Sequence, residues 1–254
     1  MTISIERRLR TAVELSGVGK TFGTGAGSVA ALRGIDLKVA HGEFVCLLGA
    51  SGCGKSTLLN LLAGLEEPTG GRLEVAAERP SFMFQEAALM PWLTSARNVE
   101  LPLQLAGLGR AARRERAQEL LSLVRLDGIG DKRPHELSGG MRQRVSLARA
   151  LAAATATTEE GPGLLLMDEP FAALDAITRD VLQGELLRVW EAIGTTIVFV
   201  THDVREAVRL AQRVVLLSSR PGTVVREWTV AEHGAELQEE ITGRLRQVIS
   251  AHAA

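Results

Sequence analysis

The sequence predicts an α/β domain in which helices flank a largely parallel sheet. First, several short segments are apolar almost throughout, as is typical of strands buried on both faces of such a sheet. They are residues 43–49, 164–168, 196–202 and 214–218. Second, helical patterns alternate with these strands. Third, 254 residues with 46% hydrophobic side chains supply enough apolar surface for a sizeable core.

The N-terminal part has a different pattern. Residues 13–18 and 35–40 alternate apolar and polar side chains, which predicts strands with one face buried. The glycine-rich stretch between them, TFGTGAGS, predicts a turn. The first of the almost continuously apolar segments, residues 43–49, follows directly.

The middle of the chain, residues 89–152, has no strand pattern and predicts helices. The stretch 152–163 is small, polar and contains glycine and proline, so we expect a surface loop. The C-terminal tail, residues 225–254, includes apolar residues at helical spacing. Two alternatives stay open for this tail: packing on its own subunit, or binding a partner.

Composition and charge argue against several classes of protein. A net charge of −1 gives no electrostatic reason to expect a nucleic acid as partner. No stretch approaches the roughly 18 apolar residues of a membrane-spanning helix, and the first residues lack the apolar core of a secretory signal. Cys46 and Cys53 have no metal-site spacing. We therefore expect a cytoplasmic chain that reaches a membrane only through another protein.

The segment GASGCGKST begins at the end of the first apolar strand and matches G-x-x-x-x-G-K-[ST] at every fixed position. Glycines let such a loop wrap closely, so that backbone N–H groups and the next helix's positive end face a phosphate. Lys55 would contact the β- and γ-phosphates of ATP, and Ser56 would ligate Mg²⁺. Because Cys53 lies beside Lys55, we expect a lowered thiol pKa. The candidate nucleotide-binding residues are Gly49, Ser51, Gly52, Cys53, Gly54, Lys55, Ser56 and Thr57.

An acidic pair ends the strand in LLLMDEP. Ligands of open α/β sheets bind at the carboxyl ends of strands, where Asp168 would lie. Asp168 would hold Mg²⁺, and Glu169 would act as general base on the attacking water. The alternative is that the two acidic residues only cap a helix after a core strand. The presence of the phosphate loop favours the catalytic role over this alternative.

The segment LSGGMRQR places Ser138, Gly139 and Gly140 at a predicted helix start, another arrangement that binds anions, with a plain helix cap as the alternative. With it, the chain resembles the ABC ATPase family over nearly its whole length. The motifs follow the family's order: the phosphate loop, Gln85 after FMF, LSGGMRQ, the MDE pair, the FAALD loop and His202 in VTHD.

This resemblance implies a P-loop NTPase core, an N-terminal antiparallel β subdomain, and a helical subdomain at about residues 87–155 that carries the signature. All would belong to one nucleotide-binding domain, residues 1–254. Two copies are expected to face each other head to tail, with ATP between the phosphate loop of one and Ser138, Gly139 and Gly140 of the other.

The resemblance also implies roles for single residues. Phe22 occupies the place of a ring that stacks on adenine, although a strand-core role is the alternative. Gln85 would contact Mg²⁺ and the attacking water, His202 the γ-phosphate, and Asp175 the dimer interface. The expected catalytic residues are therefore Glu169, His202 and Gln85, and the expected metal ligands are Ser56, Gln85 and Asp168.

The apolar segment EAALMPWLTS, which includes Trp92, is implied to receive a helix of a membrane permease, with a buried core tryptophan as the alternative. DEPFAALD, THDVREAV and SSRPGTV resemble the nitrate/sulfonate/taurine group of importers. This similarity implies a peripheral subunit on the cytoplasmic face of the membrane, a small anion as cargo, and a solute-binding protein as indirect partner. An export ATPase or a soluble ABC ATPase are the alternatives.

Overall fold

A computed structural model describes residues 11–77, 79–156, 163–232 and 236–253. In chain order the strands and helices are β1 (Thr11–Phe22), β2 (Val29–Ala40), β3 (Phe44–Leu48), α1 (Lys55–Leu62), β4 (Gly70–Val75), β5 (Ser81–Met83), α2 (Ser95–Leu105), α3 (Arg110–Leu123), α4 (Gly139–Thr155), β6 (Leu164–Asp168), α5 (Ala176–Ile193), β7 (Thr196–Thr201), α6 (Val204–Leu210), β8 (Arg213–Leu217), β9 (Val224–Thr229) and α7 (Leu237–Ala253). The helices within these described ranges are all too short or too polar to cross a membrane. The chain divides into two compact units, Met1–Glu78 with Thr196–Ala254, and Arg79–Thr195.

The first unit contains an antiparallel sheet in the order β2-β1-β4. Leu15 pairs with Leu37 on β2 and with Leu73 on β4. Burial alternates along β2, as its sequence predicts. Both predicted N-terminal strands are confirmed, and each is longer than predicted. The sequence did not predict β4, because it begins with two glycines and none of its side chains is fully buried.

The other strands of the first unit follow the order β7-β3-β8-β9. The first three are parallel, and β9 runs antiparallel to β8. Every residue of β3 and β7 is buried, which explains the apolar sequence of β3 and of residues 197–200 in β7. Within this core Phe44 meets Phe199 edge-on, with ring centroids 6.1 Å apart. Strand β9 lies mostly within the tail, where the sequence pattern predicts only a helix.

The C-terminal helix α7 packs on its own unit, as the first of the two alternatives for the tail requires. Its first turns bury Leu237 and Ile241, and the helix contacts α6. The indole Nε1 of Trp228 on β9 donates to the Glu240 carboxylate at 2.9 Å. Further along, the Ser219 hydroxyl donates to the backbone carbonyl of Val248 at 3.3 Å.

The second unit combines the short parallel pair β5-β6 with helices. Helices α2, α3 and α4 pack against one another and confirm the helical prediction for the middle of the chain. Residues 152–155, predicted as the start of a surface loop, belong instead to α4, because their alanines favour helix and two of them are buried. Residues 157–162 of that predicted loop lie outside the described residues.

Candidate nucleotide site

The phosphate loop joins the buried strand β3 to helix α1. Helix α1 begins at Lys55, and Gly54 precedes it with a φ of 105°. Gly52 also has a positive φ, 75°. L side chains rarely adopt these backbone conformations, so the sharp turn into the helix depends on glycine at both positions.

Two glycines of the loop lie where a side chain would collide with its neighbours. A Cβ on Gly49 would lie 2.7 Å from the Cys53 sulfur, and one on Gly54 would lie 2.9 Å from the backbone oxygen of Ala31. The loop therefore wraps tightly at the N-terminus of α1. This is the arrangement that presents backbone N–H groups to an anion, and it fits a nucleotide phosphate.

Lys55 brings a cation to the mouth of this loop. Its side chain is buried, and its Nζ donates to the backbone oxygens of Gly49 at 2.8 Å and Ala50 at 2.9 Å. These bonds hold the ammonium over the loop. Ser56, the next residue, is exposed at the same helix start, and Thr57 is half-buried.

The environment of Cys53 differs from the prediction. The side chain is only 1% exposed, and this burial raises the pKa of the thiol above its ordinary value although Lys55 lies nearby. The predicted lowering is wrong because desolvation of the thiolate outweighs the attraction of the Lys55 charge. Cys53 is a packed residue of the loop.

The segment around Gly222, part of SSRPGTV, lies between strand β2 and the phosphate loop. The Gly222 N–H donates to the backbone oxygen of Ala31 at 2.8 Å, and its own oxygen accepts from the Arg33 N–H at 2.9 Å. A Cβ on Gly222 would lie 2.3 Å from the backbone oxygen of Cys53. This contact joins segments far apart in the chain, so no local sequence pattern predicts it.

Two further candidates belong to the same unit as the phosphate loop. His202 is exposed directly after β7. Because β7 and β3 are neighbouring parallel strands, His202 and the phosphate loop leave the sheet at the same edge. Phe22 ends β1 and is 41% exposed, which excludes the strand-core alternative for this ring.

The second unit places three candidates at the ends of its own parallel pair. Asp168 ends β6 and is 7% exposed. Gln85, which is exposed, follows the neighbouring strand β5, so both residues lie at the carboxyl ends of paired strands. Glu169 has a φ of 44°. A left-handed conformation is uncommon in residues other than glycine and recurs at functional sites.

Two more candidates cap helices of the second unit. The Ser138 hydroxyl accepts from the Met141 N–H at 3.2 Å, at the exposed start of α4. Asp175 caps α5 in the same way and accepts from the Thr178 N–H at 2.9 Å. This hydrogen bond lowers the pKa of the Asp175 carboxyl. Gly139 and Gly140 lie in the first turn of α4.

The helix α4 also holds the segment that follows Gln85. The Arg149 guanidinium donates to the backbone oxygens of Ala88 at 2.8 Å and Ala87 at 3.1 Å. Beyond these carbonyls, Trp92 is 68% exposed. The alternative of a buried core tryptophan is therefore wrong, and an apolar ring lies free on the surface.

The family model of the ABC transporter family matches residues 32–172 of this sequence. The chain belongs to the ABC transporter family. The resemblance found in the motifs is thus confirmed, and this protein is an ATP-hydrolysing cassette of that family.

Known ABC proteins agree with this assignment. The taurine import ATP-binding protein TauB of Burkholderia pseudomallei is 49% identical over 216 residues, which cover 82% of this chain and 80% of that protein. The nitrate import ATP-binding protein NrtD of Synechocystis is 44% identical over 231 residues, covering 88% and 84%. Both names belong to the group that the sequence motifs resemble.

A solved structure confirms the fold of this ABC ATPase. A dimeric ATP-binding cassette in a post-hydrolysis state, bound to ADP and Pi, has a TM-score of 0.76 and 34% sequence identity. The match covers 86% of this chain and 98% of that chain. The predicted P-loop core, antiparallel β part and helical part are all features of the fold described above.

Proposed function

We propose that this protein is the ATP-hydrolysing subunit of an importer that carries a small anion of the nitrate, sulfonate or taurine type. The phosphate loop with its buried Lys55 is the observation that carries the ATPase part of the proposal. The cargo class is supported by relatives named for taurine and nitrate import. An export ATPase is the second candidate, and no relative described above favours it.

Hydrolysis in this proposal uses the phosphate loop, Glu169 and His202. Backbone N–H groups of the loop and the Lys55 ammonium bind the phosphates, and they stabilise the charge that develops during transfer. Glu169 takes a proton from water while the water oxygen bonds to the γ-phosphorus and the bond to the ADP oxygen breaks. His202 contacts the γ-phosphate. The left-handed backbone conformation of Glu169 supports this role, because it fixes the direction in which the side chain leaves the backbone.

The donor set fits Mg²⁺, which prefers hard oxygen ligands. Ser56, Gln85 and Asp168 carry such oxygens. Gln85 follows β5, and Asp168 is the last residue of the neighbouring strand β6. The ion would neutralise charge on the β- and γ-phosphates.

Each copy carries an incomplete site in this proposal. Ser138, Gly139 and Gly140 lie at the exposed N-terminus of the 17-residue helix α4, whose positive end suits a phosphate. They would bind the nucleotide held by the phosphate loop of a second copy, and Asp175 would support that interface. The dimeric state of the solved cassettes similar to this chain supports the arrangement.

The exposed segment around Trp92 would receive a helix of the permease. Arg149 supports this role because it fixes the backbone between Gln85 and Trp92. The protein would then lie on the cytoplasmic face of the membrane as a peripheral subunit, and a solute-binding protein would act through the permease.

The test is purification of the tagged Glu169→Gln protein from native membranes with ATP, followed by mass spectrometry. We expect a multi-span permease, with a solute-binding protein encoded or bound alongside it. Lys55→Ala is the matched control, and it should not retain ATP. Recovery of soluble partners alone would contradict the transport role, whereas ATP binding by Lys55→Ala would contradict the site itself.

A further inference from the structure

A buried ammonium lies against the exposed ring of Phe22. The Nζ of Lys20 is 5.0 Å from the centroid of the ring. The face of a phenyl ring is negative, so a cation at this distance is attracted to it. Lys20 itself is 8% exposed, whereas Phe22 is 41% exposed. The ring therefore has a charged inner contact and a surface open to solvent.

Two acceptors fix the ammonium in this place. Lys20 Nζ donates to the Glu66 carboxylate at 2.7 Å and to the backbone oxygen of Glu67 at 2.8 Å. Lysine side chains are long and flexible, so these bonds decide where the charge lies. Both acceptors belong to the stretch after α1, the helix that Lys55 begins.

The ring needs such a contact, because a phenyl group has no polar atom that could fix its orientation. The sequence contains no tyrosine, so a hydroxyl-bearing ring of that type is not an option in this chain. The electrostatic attraction between Lys20 and the ring supplies a directional constraint instead.

We propose that Lys20 is a positioning residue for the adenine base. Its ammonium group contacts one face of the Phe22 ring and fixes the orientation of the ring, so that the other face can stack on adenine. The cation also draws electron density toward itself, and this makes the outer face less negative and favours contact with an electron-rich purine. The inference rests on the proposed role of Phe22 in nucleotide binding.

The test compares a ligand that has the base with one that lacks it. The affinities of ADP and inorganic pyrophosphate are measured by calorimetry on the full chain, wild type and Lys20→Met. We expect Lys20→Met to weaken the affinity for ADP by about three- to tenfold, the range that a cation–π contact implies. The affinity for pyrophosphate should stay unchanged. Lys20→Arg should retain the ADP affinity.

The control is Lys38→Met, which removes a lysine from an exposed ion pair with Glu14 on the same sheet and should change neither affinity. In a Phe22→Leu background, Lys20→Met should have no further effect on ADP. If Lys20→Met does not fold, Lys20→Gln replaces it, since its amide can still donate to Glu67. An equal loss for both ligands, or none for ADP, overturns the inference. Failure of the wild type to bind either ligand overturns the proposed function as well.

Discussion

Replacement of Gly222 by alanine tests whether the segment after β8 supports the phosphate loop. The new Cβ would lie 2.3 Å from the backbone oxygen of Cys53, where ordinary contact begins at 3.4 Å. A backbone oxygen would have to move by about 1 Å, and overpacking of this kind costs about 1–3 kcal/mol of unfolding free energy. Because the displaced atom belongs to the phosphate loop, ATP hydrolysis should fall by up to about a hundredfold.

The matched substitution is Gly184→Ala, inside α5, where an added Cβ meets no atom within 4 Å. It should raise stability by about 0.5–1 kcal/mol, because alanine favours a helix over glycine. Urea unfolding measures both changes, and an ATPase assay measures the loss of function. Wild-type stability and activity in Gly222→Ala would refute the reasoning. Lost stability with full activity would show that the segment does not support the loop.

Further predictions concern the thiol, an ion pair and a helix cap. Iodoacetamide should not modify Cys53 in the native protein at neutral pH, because it is buried and its pKa is raised; rapid modification seen by mass spectrometry would contradict this. Arg213→Met should cost about 3 kcal/mol of unfolding free energy in urea, because it leaves the Glu43 carboxylate without its cation. Lys38→Met removes a lysine from an exposed ion pair and should change the unfolding free energy far less. The pKa of Asp175 in the folded protein is lowered. The cap should therefore stabilise the folded state at pH values above the ordinary aspartate pKa. This stabilisation should disappear as the pH falls through the lowered pKa of the folded protein. An NMR titration that placed this carboxyl at or above its ordinary pKa would exclude the cap.

The sequence predicted the elements whose pattern is set by burial. Strand β3 and residues 197–200 of β7 are apolar because both faces of each strand are covered, and the middle helices have no competing strand pattern. Strand β9 was not predicted, since only one of its residues is fully buried and its place depends on pairing with β8. In a short exposed strand, the pairing with a neighbouring strand produces little recognisable pattern in the sequence.

In the candidate site, too, some features could be predicted from local sequence and others depend on contacts between distant segments. Motif residues such as Lys55 and Ser138 could be found because their chemistry requires fixed spacing. The pKa of Cys53 was predicted wrongly, since it depends on how tightly the loop closes over the sulfur. Likewise, the contact between Gly222 and the phosphate loop joins segments far apart in the chain, and no local pattern encodes it.

The cap at the start of α4 has a consequence for assembly. A hydroxyl can accept two hydrogen bonds and donate one, and the cap with Met141 uses only one accepting position of Ser138. The proton of the hydroxyl stays available for an anion, while the cap restricts the rotamer of the side chain. If a second copy presents its nucleotide here, the serine is already oriented, so less side-chain entropy is lost on association. Dimers could then form and separate in each cycle without unwinding the first turn of the helix.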